Sequence, residues 1–72
     1  MIDYKAIGTY FKTLRTNEPT SQLKICLRSE LSLETVRRIE SGNRKSLEIK
    51  SLQKLCNAYN LKLYELFKHF DI

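Results

Sequence analysis

The 72-residue chain has one proline, two glycines, two cysteines and one histidine, and each scarcity removes a class of protein. So few Gly and Pro, with 42% hydrophobic residues, leave a chain too apolar and too little broken to be a disordered tail. Cys26 and Cys56 lie far apart, each in an apolar stretch. They form neither a Cys-x-x-Cys pair nor a ligand cluster, and read as reduced, buried small side chains. His69 has no cysteine or carboxylate cluster at ligand spacing, and no serine stands in a nucleophile-elbow or phosphate-loop pattern. No catalytic residue, metal or cofactor is therefore expected, and the chain does not read as an enzyme. No apolar run approaches the roughly 20 residues that span a bilayer. The N-terminus lacks a signal-peptide core, so no membrane partner and a cytoplasmic location are expected.

A chain this short buries only about 62% of the surface its unfolded form exposes. One small core, hence a single domain over 1–72, is the expected organisation. Thirteen Lys plus Arg against eight Asp plus Glu give a net charge of +5. That excess attracts phosphate backbones or anionic surfaces without naming which.

The spacing of apolar residues predicts five short helices. The first runs from about Asp3 to Arg15, with Ala6, Ile7, Tyr10, Phe11 and Leu14 on one face, and ends ahead of Pro19, which removes a backbone donor. Ser21 stands where a hydroxyl caps the second helix, Gln22 to about Ser29, with Ile25, Cys26 and Leu23 facing inward. Ser32 is the corresponding N-cap for the third, Leu33 to Ser41, buried through Val36 and Ile39. Gly42 is the strongest stop signal, since it adopts a left-handed conformation at little steric cost. The fourth helix spans about Glu48 to Tyr59, with Ile49, Leu52, Leu55, Cys56 and Tyr59 inward, and Asn60 is the next left-handed stop. The fifth covers about Lys62 to His69, anchored by Leu63, Leu66 and Phe67. The expected fold is an all-α, compact five-helix bundle.

The informative segment is 22–41. Two helices too short to be stable alone are joined by only Glu30-Leu31-Ser32, which forces a steep crossing and leaves one face of the second partner unburied. Leu33, Glu34, Arg37 and Arg38 point away from Val36 and Ile39. A protruding helix carrying two guanidiniums is the geometry that reading a DNA major groove requires.

Leu14-Arg15, Ser21-Gln22, Ser32, Thr35-Val36, Arg38-Ile39-Glu40, Gly42 and Leu63-x-Glu65-Leu66-Phe67 together resemble the lambda-repressor and Cro-like (XRE-type) helix-turn-helix domains, over about Ile7 to Phe67. Two departures are evident. Glu30 stands where the family usually has Gly in the turn, and Cys26 where it usually has Ala. Ser29 also replaces a common Leu, so the second helix is expected to pack through Leu23 and Leu27.

The resemblance implies the lambda-repressor-like fold with a central helix-turn-helix, sequence-specific double-stranded DNA as partner, and a small transcriptional regulator acting as a homodimer on a palindromic operator. It implies base-reading positions at Leu33, Glu34, Arg37 and Arg38, and phosphate contacts from Gln22 and from the loop residues Asn43, Arg44 and Lys45. Arg15 and Glu40 correspond to a structural ion pair. Leu33 suits a thymine methyl, Glu34 a cytosine amino group, and Arg37 or Arg38 the O6 and N7 of guanine. Glu34 has a second reading, an i,i+4 salt bridge with Arg38, and Arg37 a second as a phosphate contact. Tyr64, Phe70 and Ile72 are candidate dimer-interface residues or, equally, peripheral core. The competing function is a protein-interaction module on the same fold, such as an antitoxin, adaptor or antirepressor, with a protein partner in place of DNA.

Overall fold

A computed structural model describes residues 3–43 and 48–71. Five helices follow one another: α1 Tyr4–Asn17, α2 Gln22–Ser29, α3 Leu33–Ser41, α4 Ile49–Ala58 and α5 Leu63–His69. Among the described residues there is no strand. The bundle has the all-α, lambda-repressor-like arrangement.

Local chemistry starts the first three helices. Asp3, Ser21 and Ser32 sit in extended conformation, and their side chains accept from the backbone N–H of Ala6, Lys24 and Thr35 at 3.0, 3.2 and 3.2 Å. Each bond satisfies one of the donors a helix start leaves orphaned. Glu65 does the same for α5, accepting from the N–H of Lys62 at 3.2 Å. α1 runs two residues past Arg15, to Asn17. The Thr16 hydroxyl donates back to the Lys12 and Thr13 carbonyls, and the helix stops only where Pro19 requires it.

Four stops use left-handed backbone, at Glu30 (φ 60°), Gly42 (φ 68°), Asn60 (φ 55°) and Asp71 (φ 56°). Glu30 is the costly one, because it lacks both the freedom of Gly and the short polar side chain by which Asn and Asp tolerate this region, and costs about 1 kcal/mol or more there.

Ile7, Phe11, Ile25, Val36, Ile39, Leu52, Leu55, Cys56 and Leu66 form one buried cluster to which all five helices contribute. Burial pushes the Cys56 thiol up to about 11, so Cys56 serves as an inert packing group. Ser29 is also buried, its hydroxyl donating to the Ile25 carbonyl at 2.7 Å. Leu23 and Leu27 do not carry the packing of α2; they are 64% and 82% exposed. Ile49, at the first position of α4, is likewise exposed rather than inward. Ile25, as expected, and Ser29 are the buried residues of α2, whereas Cys26 is half-buried against the core rather than buried.

The contact that sets α3 in place is with α1. Gly8 is buried, and a Cβ there would collide with the carbonyl oxygen of Ile39 and stand 2.7 Å from that of Glu40. At Gly42 a Cβ would run into the Cα of Lys5 and lie 3.0 Å from its amide nitrogen. Both glycines of the chain thus serve the same helix crossing.

Two stability predictions follow from these backbone positions. Gly8→Ala forces α1 and α3 apart and lowers unfolding free energy by about 1–3 kcal/mol, read from the urea midpoint. Glu30→Gly relieves the left-handed turn and raises stability by about 1 kcal/mol; a lower midpoint for this variant would show that the turn is not strained.

Candidate nucleic-acid interface

The start of α2 and the outer side of α3 form one surface. Val36, Ile39 and Glu40 anchor α3 inward, while Glu34, Arg37 and Arg38 are exposed and Leu33 is half-buried at its first turn. Ser32 does more than cap: its hydroxyl also hydrogen-bonds the Thr35 hydroxyl, 2.9 Å away. The N-terminal turn of α3 is thereby held at the place from which Leu33 and Glu34 project.

Beneath this surface lies a charged joint. Arg15 donates to Glu40 through Nε at 2.8 Å and Nη2 at 3.0 Å, a two-point fork, and through Nη1 to the Thr20 carbonyl at 3.1 Å. Gln22 Nε2 donates to the same Glu40 carboxylate at 3.0 Å. The side chains of Arg15 and Glu40 are 15% and 4% exposed, so water screens the pair little. The Glu40 carboxylate holds the Arg15 guanidinium protonated beyond its ordinary range. One carboxylate at the end of α3 therefore ties down α1 and the first residue of α2, and the Arg15 it holds reaches the α1–α2 loop.

A shallow polar cleft opens over the joint, lined by Lys12, Ser21, Gln22, Arg37 and Ser41. It brings Arg37 from α3 beside Gln22 from α2 and adds Lys12, which the sequence reading passed over. Lys12 lies one turn before Arg15 on α1, and that spacing was the available signal. Arg38, one residue on from Arg37, pairs with Glu34 on the open face of α3. Asn43 is exposed just past Gly42, its N–H donating to the Ser41 hydroxyl at 3.3 Å. Arg44 and Lys45 lie outside the described residues, as does Ile72.

A second ion pair sits at the junction of α1, α2 and α4. Arg28 grips both oxygens of Glu18 at 2.9 Å and also donates to the Ala58 carbonyl at the end of α4. Its guanidinium holds the Glu18 carboxyl below the usual carboxylate range. Burial pushes the neighbouring Tyr59 phenol up to about 12.

Of the other candidate contact residues, Tyr64 is exposed and Phe70 half-buried, its ring edge-to-face with Tyr10 at 5.5 Å. His69 lies against the same Tyr10 ring at 4.8 Å. Among the described residues no group of His, Cys, Asp or Glu could hold a metal ion, and no helix is long and apolar enough to cross a membrane. The surface offers hydrogen-bond donors and positive charge, with one carboxylate among them.

A family model described as helix-turn-helix matches residues 11–66, well over half of the chain. No curated protein and no solved structure matches it.

The joint itself is open to a direct test. Glu40→Ala strands a buried guanidinium and costs about 3–5 kcal/mol, whereas replacing Arg15 and Glu40 together by apolar residues of similar size costs less than either single change. Denaturation of the two singles and the double closes the cycle; additive losses would mean that the two charges do not depend on each other.

Proposed function

The chain belongs to the XRE-type helix-turn-helix family, whose domains are DNA-binding modules and not catalysts, and from that premise we propose that it binds double-stranded DNA sequence-specifically through the major groove. In this reading residues 1–72 act as one domain and as a small transcriptional regulator. α3 is the reading helix, with Leu33, Glu34, Arg37 and Arg38 as the positions that meet base edges. Gln22 and Lys12 take the backbone phosphate nearest the start of α2, where oriented amides add their own attraction for an anion. Asn43, Arg44 and Lys45 take phosphates beyond the end of α3.

One observation carries the proposal: two adjacent arginines, Arg37 and Arg38, stand exposed on a helix whose opposite side is locked into the core by Val36, Ile39 and Glu40. On such a helix the backbone beneath both guanidiniums stays fixed while they remain open to solvent, which is what discrimination between base edges requires. Arg37 and Arg38 favour this reading over that of a protein-interaction module, which apolar or acidic residues such as the neighbouring Leu33 and Glu34 would suit.

A single helix-turn-helix unit reads one half-site, and two-fold symmetry is the usual way to read a second. Tyr64 and Ile72 are the residues we assign to that interface, with Phe70, already packed on Tyr10, at its edge. Selection of duplexes from a randomised library with the purified protein tests the whole reading. It is expected to enrich a palindrome with half-sites about 34–36 Å apart. Enrichment of no duplex over competitor DNA at moderate salt would overturn it.

A further inference from the structure

The carboxylate on the open face of α3 needs an explanation. Glu34 is 72% exposed in its side chain, on the helix proposed to enter a groove walled by phosphates. A negative charge there is repelled by every duplex alike. Its partner is Arg38, 57% exposed, whose Nη2 donates to Glu34 Oε1 across one helical turn. In water such a pair contributes little to stability, so holding the helix together is a poor account of it. In a groove from which water is displaced, the two charges interact much more strongly.

The pair leaves donors and an acceptor unbonded side by side on an exposed face. A guanidinium has five N–H donors, of which the bond to Glu34 takes one, and the remaining ones still offer a fork. Glu34 Oε2 stays free as an acceptor beside that fork, since the bond to Arg38 is made by Oε1. Laid along a base pair with Arg38 first, such a unit would offer donor, donor, acceptor. A G·C pair in the major groove offers N7 and O6 as acceptors and then the cytosine N4 amino group as donor. That order complements the unit at all three points. C·G presents the same groups in reverse, and A·T and T·A place a donor between two acceptors. Each of these leaves at least one group of the unit facing its like.

We infer that Glu34 and Arg38 act as one reading unit for a single G·C pair in one orientation, with Arg38 on guanine and Glu34 on its paired cytosine. The inference rests on the DNA-binding reading above and adds to it that two side chains, usually counted as two base contacts, specify one position. Arg37 is kept out of the unit by its place in the cleft with Lys12 and Gln22. Removing either member then exposes the other. Without Glu34 the fork loses its brace and the cytosine its acceptor; without Arg38 the carboxylate meets the groove uncompensated.

The test uses the full chain and the duplex enriched by selection, with every single base-pair substitution made in one half-site. Glu34→Ala and Arg38→Ala, both at exposed positions and checked for helix content, are titrated against the set. The expected result is that both variants lose preference at the same G·C position, by roughly tenfold or more. The other positions keep their order of preference, and the double variant does no worse there than either single. Glu34→Ala also removes a charge repelled by the phosphates, which raises affinity for duplexes substituted at that position, so relative preference is the deciding readout. Loss at two different positions, or an unchanged preference pattern for Glu34→Ala, overturns the reading unit while leaving DNA binding intact. A wild-type chain that prefers no duplex overturns both.

Discussion

Gly8 and Gly42 let two helices meet backbone to backbone, and the rest of the structure is arranged around that approach. Nothing larger than hydrogen fits between α1 and the carbonyls of Ile39 and Glu40. The distance is therefore fixed by hard contact rather than by adjustable side chains, and packed interiors do not deform continuously. Once α3 lies that close, Val36 and Ile39 fall into the core with Ile7 and Phe11, and Glu40 comes within reach of Arg15. The ion pair then resists rotation of α3 about its own axis, which the glycine contact alone would permit. Position comes from sterics and orientation from charge.

This division explains why a protein with so small a core spends one of its few buried places on a carboxylate. A buried charge pair is weak support for stability against an apolar pair of similar volume. Here the Glu40 carboxylate receives three hydrogen bonds, two from Arg15 and one from Gln22. The geometry of those bonds links the end of the exposed helix to the start of the one before it. Apolar contacts would fill the same space without specifying the angle.

Most of the fold was legible in the sequence because punctuation, not propensity, marks its helices. Ser21, Ser32, Gly42 and Asn60 each have a short-range mechanism that works wherever they stand, and each takes the role its chemistry suggests. Features that depend on three-dimensional neighbours were not legible. Leu23 and Leu27 look like core from composition, yet they face outward, because the buried side of α2 is set by Ile25 and by Ser29 bonding its own helix. Ile49 fits the apolar period of α4 but sits one turn beyond the reach of the core. Gly8 reads in sequence as a weakness in a helix, and only the neighbouring helix reveals what it is for. At the candidate surface the exposed residues of α3 were legible from spacing, whereas the separation of Arg37 from Arg38, one toward the cleft and one toward Glu34, depends on what α1 and α2 place beside them.

α5 is held differently from the rest. It packs on α4, and its final residues lean on the ring of Tyr10, with only Leu66 fully buried. Segments with few buried apolar contacts open first, at a fraction of the free energy of global unfolding. Fraying at this end can proceed without touching Gly8, Gly42 or Glu40. The molecule is mechanically partitioned: its last helix can open while the helix at the glycine crossing keeps its placement.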